Sequence, residues 1–509
     1  MPIAVEPASD AAPACPTFGA RCRLAARSAG FWAVAAYIVS RFVFYACFSA
    51  ATSDIWVYLN YVVQGVDYQR TPYLQSGPSS QLLRDIKLLE YPPAGYWAMA
   101  LPRMLSSWRM PAEPDDPELA DPYGQLLMKH YAHYDYGFRG LMLLFDVGAF
   151  ALFALVLRRR RPEYLAWGLW AYVLSTSALG YVLLERLDVG LTFLLMAWAY
   201  CWLRADDSPS RGWLWSAASY AALGLGISFK LIPIIVVPFP LLADLHLLWR
   251  KPRDLRLLAG PALLCVTALG PFAYYYAIVG DDLWKMFEFH TVRGVQIESS
   301  YATVMMLAIP ADQLRCYYGY GSWNLGGAWE AELLAISSWL LPAVLLLFGL
   351  RALSAPAFRE TFDRSAAYRW ACVTVPTATL LAKVFSVQYL LWAAPLLILA
   401  GAELFPRRGF HALVVGTVLA CGLTGLLFPH HYLDQMYALP YSEENPPPFT
   451  LIEHRRLIPN DRGELILSGD LSTGVPRTMM TARNVIFAAL CAAVAVAAMR
   501  RAALLKPHD

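Results

Sequence analysis

The chain has 509 residues, of which 58% are hydrophobic and only 16% are charged, and its mean hydropathy is +0.42. Charged residues make up about a quarter of an ordinary soluble protein, so this composition indicates a polytopic integral membrane protein. The formal net charge of +3 is carried by basic clusters in short loops, which gives no support to nucleic-acid binding.

Apolar runs of about 20 residues, the length that spans a bilayer, divide the chain into twelve predicted membrane helices. Two pairs, over 213–249 and 369–405, are nearly continuous and can also be divided differently. The first run is longer than the core of a cleaved signal peptide, so we expect it to stay as the first helix. The predicted helices are 29–51, 137–157, 163–183, 188–204, 213–229, 231–249, 258–278, 331–351, 369–384, 387–405, 411–428 and 482–499.

Arginine and lysine clusters precede the first predicted helix and follow every second helix after it. All of them fall on one side of the membrane, and the positive-inside rule assigns that side to the cytoplasm. We therefore expect cytoplasmic tails at 1–28 and 501–509 around one transmembrane domain, 29–500. The Ala-, Arg- and Leu-rich composition is typical of a high-GC bacterium, so the expected location is a bacterial inner membrane.

Three long segments are left for the outer face: 52–136, 279–330 and 429–481. The first contains two predicted amphipathic helices that lie on the membrane surface, Ile55 to Val66 and Tyr96 to Leu105. A break at Pro92-Pro93 separates them, because proline disfavours helix at the residue before it. Long outer loops on a helical bundle are where a binding site is expected.

Asp54 stands at the outer end of the first predicted membrane helix, where an ionisable residue indicates a functional site. The position suggests an enzyme that acts on a lipid-borne substrate at the membrane surface, and we predict that Asp54 is its general base, which deprotonates a hydroxyl. The alternative is that Asp54 only caps the helix that begins at Ile55. The two roles are compatible.

Several sequence blocks resemble the polyprenol-phosphate-mannose-dependent mannosyltransferases of glycosyltransferase family 87. They are Asp54-Ile-Trp-Val-Tyr58 with Gly65, Pro72-Tyr73, Tyr91-Pro92-Pro93, the stretch from His290 to Ser299, and Lys383-Val-Phe-Ser386-Val-Gln388-Tyr389-Leu-Leu-Trp392. The similarity covers residues 30 to 405. Where family members often carry Gly-Gln-x-Asn, this chain has Glu185-Arg186-Leu187-Asp188.

The resemblance implies a GT-C-type fold, all-α, with long extracytoplasmic loops that carry interfacial helices. It implies a polyprenyl-phosphate sugar as donor and a glycolipid or glycan hydroxyl as acceptor at the extracytoplasmic face. Mannose is the sugar that the family suggests, although arabinose, glucose and galactose remain open because of the departure at 185–188.

The donor phosphate requires cations, and Arg offers a planar fork whereas Lys offers a compact charge. The predicted phosphate-binding residues are Arg293, Lys230, Lys383 and His290, with Arg139 and Arg186 behind them. The alternatives are that the lysines snorkel to the interface, that Arg293 pairs with Glu298, and that His290 is an ordinary surface histidine.

A second group of residues is predicted to bind the sugar or the acceptor. These residues are Tyr58, Tyr73, Glu90, Tyr91, Gln296, Glu298 and Gln388. The tyrosines can instead belong to an aromatic belt, and Glu90 can pair with Lys87. Glu185, Arg186 and Asp188 form either an internal ion-pair network or a ligand site, and Asp146 is expected to pack against Arg139 or another cation.

No metal or other cofactor is predicted, because the outer carboxylates form no cluster of the kind that a metal-dependent transferase needs. Cys316 alone among the cysteines lies well inside a predicted outer segment, so no disulfide framework is implied. The main rival function is a transporter or flippase of lipid-linked sugars, which would favour matching broken helices in two halves of the chain. A non-catalytic scaffold for envelope assembly is a third hypothesis.

Overall fold

The structure is a computed structural model that describes residues 28–47, 53–69, 73, 89–110, 120–180, 182–207, 210–251, 253–287, 291–319, 322–354, 364–428, 457–459, 465–467 and 475–504. Helices dominate it. The helices of the first half are α1 (Ala29–Cys47), α2 (Ser53–Val62), α3 (Pro93–Met104), α4 (Ala120–Arg160), α5 (Leu165–Ala178), α6 (Val182–Glu185), α7 (Asp188–Arg204), α8 (Gly212–Phe229), α9 (Pro238–Arg250) and α10 (Ala259–Val279).

The second half adds further helices and two small antiparallel sheets. The elements are α11 (Ser300–Ala308), β1 (Leu314–Gly319), β2 (Ser322–Gly327), α12 (Glu330–Ser354), α13 (Arg364–Leu381), α14 (Leu390–Leu404), α15 (Arg407–Leu427), β3 (Leu457–Pro459), β4 (Leu465–Leu467) and α16 (Val475–Leu504). Each of the twelve predicted membrane segments overlaps a helix, and 163–183 overlaps both α5 and the start of α6. The first near-continuous pair is divided at Lys230, as predicted. The second is divided between Leu381 and Leu390, a gap that contains the predicted boundary between 384 and 387.

Seven helices within the described residues are long and apolar enough to cross a membrane. The chain is therefore a mostly helical membrane protein, but twelve spans are not confirmed, because five of the predicted segments are too short or too polar by the same criteria. The seven are Ala29–Cys47, Lys129–Arg160, Leu255–Phe287, Glu330–Leu353, Val387–Leu404, Arg407–Leu427 and Val475–Arg501.

Helix α14 forms the centre of the bundle. Almost all of its residues are buried, and it packs against α7, α13, α15 and α16. Helix α12 is the opposite case, since most of its apolar side chains are exposed, as on a surface that faces lipid, and its buried apolar side chains are those of Phe348 and Ala352. A helix that is apolar all round is stable only inside such a bundle or in lipid.

A buried ion pair ties α1 to α4. Arg41 Nε lies 2.7 Å from a carboxylate oxygen of Asp146, and the hydroxyls of Tyr37 and Tyr172 donate to the same carboxylate. The predicted partnership of Asp146 with Arg139 is wrong, whereas the alternative of another cation is confirmed. A buried carboxylate loses its hydration, and hydrogen bonds from neighbouring groups must compensate for that loss. Arg41, Tyr37 and Tyr172 supply them to Asp146.

The first outer segment contains both predicted short helices, α2 and α3. A π-helical turn, Val63–Asp67, extends α2, and the buried guanidinium of Arg103 on α3 pairs with Asp67. Helix α3 begins at Pro93, where a proline's fixed φ suits a first helical turn. One boundary is wrong: residues 120–136 belong to α4, which is 41 residues long, and not to the loop.

The second outer segment forms a small folded unit that the all-α prediction omitted. Strands β1 and β2 pair from Leu314 opposite Gly327 to Gly319 opposite Ser322. The segment around Ile297 adds to their edge, since its N–H donates to the carbonyl of Trp323 at 3.0 Å. Ile297, Trp323 and residues of α11 share a separate apolar core.

Basic residues from two of the predicted clusters meet at one end of the bundle. Arg160 pairs with Glu403 at 2.8 Å, Arg161 donates to the carbonyl of Ala402 at 2.7 Å, and Arg501 donates to the carbonyl of Glu403. These contacts join the ends of α4, α14 and α16. The segments predicted to face outward connect helix ends at the opposite end of the bundle, which is called the outer end below.

Helix α15 packs against the end of α5 through Gly425. A Cβ at this position would overlap the carbonyl oxygen of Ala178, whereas a Cβ at Gly422 on the same helix would meet open space. We expect Gly425→Ala to destabilise the protein by about 1–3 kcal/mol, because the two backbones must move apart. The melting temperature in detergent measures this effect, with Gly422→Ala as the matched control. Equal melting temperatures for the two variants would contradict the close packing.

Candidate functional site

Polar side chains from distant parts of the chain gather at the outer end of the bundle. Asp54 comes from α2, Arg186 from the turn before α7, Lys230 from the end of α8, Arg293 from the second outer segment, and Lys383 from the connection after α13. A charged side chain that is buried in the bundle is costly unless it has a partner of opposite charge. Most of these residues accordingly form ion pairs.

Asp54 pairs with Arg186. The Asp54 side chain is 24% exposed and that of Arg186 is 14% exposed, so this pair borders on solvent. Asp54 lies in the first turn of α2, where the helix dipole also favours a carboxylate. The position is therefore compatible both with helix stabilisation and with a base that an acceptor can reach.

Lys230 points inward to a buried carboxylate. Its Nζ lies 2.7 Å from Oδ1 of Asp188, which also accepts a hydrogen bond of 2.8 Å from the Trp392 indole. The ring centroid of Tyr389 is 4.9 Å from the same Nζ. Helix α8 ends at Lys230, whose backbone is extended, and the side chain lies toward α7. The alternative that this lysine extends to the membrane interface is therefore wrong. The predicted network at 185–188 thus includes Lys230.

Arg293 pairs with Glu90, with 2.5 Å between Nη2 and Oε2. The alternative pairing with Glu298 is wrong. The other suggested partner of Glu90, Lys87, lies outside the described residues. Burial lowers the pKa of Arg293, but Glu90 and the phenols of Tyr389 and Tyr91 raise it, and the net shift is upward. Tyr389 therefore lies near both Arg293 and Lys230.

Lys383 contacts the Arg293 segment through main-chain oxygens. Its Nζ donates to the carbonyl of Arg293 at 2.8 Å and to that of Thr291 at 3.0 Å, while its own carbonyl accepts from the N–H of Gln296. Burial and the charge of Arg293 lower the pKa of Lys383. Within the described residues Lys383 has no carboxylate partner, so its ammonium retains capacity for an anion.

The tyrosines form a packed support for the cluster. The hydroxyls of Tyr58 and Tyr91 share a hydrogen bond of 3.0 Å, and the Tyr73 hydroxyl donates to the carbonyl of Tyr91 at 2.9 Å. Tyr58 and Tyr73 are buried and Tyr91 is partly buried. This burial does not favour the predicted contact of the three tyrosines with a sugar. It indicates instead that they position Glu90 and the chain break at Pro92.

Glu298 is fully buried on the other side of the Arg293 segment. Its Oε1 lies 3.5 Å from Nη1 of Arg483, and its Oε2 lies 3.4 Å from the amide of Gln296. Burial raises the pKa of Glu298 to about 7, although Arg483 and Arg186 act in the opposite direction. A residue without exposed surface cannot contact an acceptor directly, so the predicted sugar-binding role of Glu298 does not suit this position.

Helix α16 holds this segment to the bundle. Arg483 donates to the carbonyl of Glu298 at 2.6 Å, and Asn484 donates to the carbonyls of Glu298 and Ser299 and to the Thr303 hydroxyl. Sequence reasoning missed Arg483 and Asn484. The signal that could have identified them is an arginine within the first turn of the last predicted membrane helix, 482–499.

The remaining predicted residues have supporting positions. Gln296 is buried, and Gln388 is buried and accepts a hydrogen bond of 2.7 Å from Ser386. Arg139 lies 3.7 Å from Asp135 and donates to the carbonyl of Phe44. His290 lies outside the described residues. Lys383, Arg293 and Glu90 are therefore joined by direct contacts, and the pairs of Lys230 with Asp188 and of Asp54 with Arg186 are neighbours through the turn 186–188.

A comparison of the chain with known protein families and with curated proteins finds no match.

Glu298 makes the stability of the folded protein depend on pH. Its carboxyl keeps a proton up to about pH 7 when folded, whereas its ordinary pKa is 4.5. Its contribution to stability is therefore complete below pH 4.5 and is lost as the pH rises through 7, a change of about 3 kcal/mol. We expect the melting temperature in detergent to fall between about pH 5 and about pH 8, and to fall less in Glu298→Gln.

Glu332→Gln is the matched control, because Glu332 is exposed. Its melting temperature should follow the wild-type pH dependence. If all three proteins show the same slope, Glu298 is ionised throughout this range and the argument from burial is wrong.

Proposed function

We propose that this protein is a membrane glycosyltransferase that moves a sugar from a polyprenyl-phosphate donor to a hydroxyl of a glycolipid or glycan. The observation that carries the proposal is the pairing of a partly exposed carboxylate, Asp54, with Arg186 beside a cluster of three further cations at the outer end of the bundle. The sequence resemblance to glycosyltransferase family 87 suggests mannose as the sugar.

The cation cluster suits a donor phosphate. Lys383 has no carboxylate partner among the described residues and donates to the carbonyl of Arg293. The ammonium of Lys230 lies 4.9 Å from the ring centroid of Tyr389, and the Tyr389 phenol also influences Arg293. A phosphate that contacts Lys383 first would then compete with Glu90 for Arg293. A guanidinium forms charge-assisted hydrogen bonds with a phosphate and with a carboxylate alike, so a phosphate can take the place of Glu90 as the partner of Arg293.

Asp54 then has the role of general base in an inverting displacement. It takes the proton of the acceptor hydroxyl as that oxygen forms a bond to the anomeric carbon of the donor sugar. The bond between the anomeric carbon and the phosphate oxygen breaks, and its electron pair leaves with the polyprenyl phosphate. The cations stabilise the charge that develops on this leaving group.

The proposal includes a membrane arrangement. Twelve spans with both termini in the cytoplasm of a bacterium would set the arginine-rich end of the bundle inside the cell and Asp54 outside the inner membrane. A donor with a lipid tail would then reach the cluster from the outer leaflet. We propose that the transfer requires no metal, so the assays below contain a chelator.

Asp54→Asn is expected to abolish transfer, because the amide cannot accept the hydroxyl proton. A loss of about a hundredfold or more is expected for a general base. The measurement uses purified protein in nanodiscs, radiolabelled polyprenyl-phosphate-mannose and a membrane glycolipid extract as acceptor. Asp312→Asn, at an exposed outer position, is the matched control. A wild-type rate in Asp54→Asn would show that Asp54 is not the general base. Absence of transfer by the wild-type protein with every prenyl-phosphate sugar would favour a flippase.

Lys383→Met is expected to weaken the donor interaction specifically. Removing one charged hydrogen bond should raise the KM for the donor by about tenfold. Steady-state kinetics at saturating acceptor measure the effect, and Lys285→Met, an exposed outer lysine, is the control. An unchanged KM for the donor together with a raised KM for the acceptor would assign Lys383 to the acceptor and contradict the phosphate site.

A further inference from the structure

The connection between α9 and α10 borders an open cavity at the inner end of the bundle, which is opposite the outer end. An ion pair fixes its position: Asp244 of α9 pairs with Arg364, the first residue of α13, while Lys383, just after α13, lies at the outer end. Helix α9 continues from Asp244 to Arg250, and the connection follows. The cavity has a volume of about 830 Å³, and the described residues that line it, called the basic turn below, are Lys251, Arg253, Asp254, Leu255 and Arg256.

The basic turn carries positive charge that the described part of the fold does not neutralise. Elsewhere at the inner end cations are paired, since Arg159 and Arg204 both lie against Asp207. The three cations of the basic turn are exposed and, among the residues that the structure describes, none of them is in ion-pair contact with a carboxylate. The lining contains these three cations and one carboxylate, that of Asp254, so two positive charges remain in excess.

These cations lie at the boundary of the membrane. The candidate membrane span that contains α10 begins at Leu255, so Lys251 and Arg253 directly precede it and Arg256 belongs to its first turn. Lys and Arg at the end of a span extend their charged groups to the level of the lipid headgroups. The phosphate of a phospholipid lies at the same level.

Exposed apolar side chains flank the basic turn on both sides. On α9, Leu245 and Trp249 are four residues apart and share a face, and Trp249 is 87% exposed. On the other side, Leu255 and Leu258 are exposed and three residues apart in a 3₁₀ turn, which also places them on one face. Tryptophan is enriched at the membrane interface, where its ring contacts both lipid and water. Cations beside such side chains fit a ligand that has an anionic head and apolar chains.

We propose that the basic turn is a binding site for an anionic phospholipid of the adjacent leaflet. The lipid phosphate contacts Lys251, Arg253 and Arg256, and an acyl chain lies against Trp249. Basic pockets between membrane helices bind such headgroups, and guanidinium groups form charge-assisted hydrogen bonds with phosphate. The site is at the opposite end of the bundle from Asp54, so the inference goes beyond the proposed function and does not depend on it.

Native mass spectrometry of the detergent-purified protein, which resolves each bound lipid, measures the apparent Kd. Wild type should bind phosphatidylglycerol more tightly than phosphatidylcholine, which has no net charge. The combined replacement Lys251→Gln, Arg253→Gln and Arg256→Gln should weaken phosphatidylglycerol binding by about tenfold or more, because each basic residue near an anionic lipid surface contributes roughly fivefold. Binding of phosphatidylcholine should not change.

The matched control is the combined replacement Arg407→Gln, Arg408→Gln and Arg500→Gln, which removes three exposed arginines at the same end of the bundle. It should keep the wild-type affinity for the first phosphatidylglycerol. Asp254→Asn is a second variant with the opposite effect, since loss of the carboxylate in the lining should strengthen phosphatidylglycerol binding by roughly twofold to fivefold. This variant tests the site even if the melting temperature shows that the triple variant does not fold.

Equal affinity of wild type for the two lipids would overturn the proposal, and so would an equal loss in both triple variants or unchanged binding in Asp254→Asn. Inorganic phosphate at the same concentration as the lipid should not displace it, because phosphate lacks apolar chains. Displacement would assign the cavity to a free anion and overturn the lipid assignment. A cryo-EM map in nanodiscs that contain phosphatidylglycerol but no polyprenyl phosphate should show headgroup density at the basic turn, which distinguishes this lipid from the donor.

Discussion

The need to compensate buried charge is the constraint on which this structure depends. A carboxylate or an ammonium in an apolar bundle is costly unless a partner and hydrogen bonds replace its water. Asp188 illustrates the consequence, because it joins Lys230 of the α8 end and Trp392 of α14 to the first residue of α7. One ion pair therefore fixes three helices at the point where the outer segments converge.

The ion pairs differ in how completely their side chains are buried from solvent. Arg41 and Asp146 are fully buried, and Tyr37, Tyr172 and Thr176 complete their hydrogen bonds, so this pair serves the packing of α1 against α4 and α5. The pairs of Asp54 with Arg186 and of Glu90 with Arg293 retain exposed surface. In such a partly exposed pair, a ligand can replace one of the two side chains as the partner of the other. The described pairs that we assign to the site all lie at the outer end of the bundle.

The hydrophobic pattern predicted the helices well, because each membrane segment is long and its apolar face continuous. It also predicted α2 and α3, where amphipathic spacing and Pro92-Pro93 are local signals. The strands β1 and β2 escaped prediction because their stability comes from pairing with each other and with Ile297, which no local pattern records. The start of α4 was missed for a related reason, since polar residues such as Lys129 and His130 interrupt the apolar run.

Site residues were predictable by type and not by partner. Asp54, Lys230, Arg293 and Lys383 stood out as charges next to apolar runs. Lys383 contacts the main chain of Arg293, and the partners of Asp54 and Lys230, Arg186 and Asp188, are two residues apart. The pairing of Arg293 with Glu90 joins residues 203 positions apart, so no sequence spacing indicates it. The buried position of Glu298 also depends on the last helix, through Arg483, and could not be deduced from the outer segment alone.

A cryo-EM map of the protein in nanodiscs with polyprenyl phosphate would test the proposed site most directly. The phosphate is expected within hydrogen-bond distance of Lys383 Nζ and the Arg293 guanidinium, with Asp54 nearby and the prenyl chain directed into the outer leaflet. Phosphate density at the arginine-rich end of the bundle, or along a path between the helices, would contradict a fixed outer site and favour a protein that moves lipid-linked sugars across the membrane.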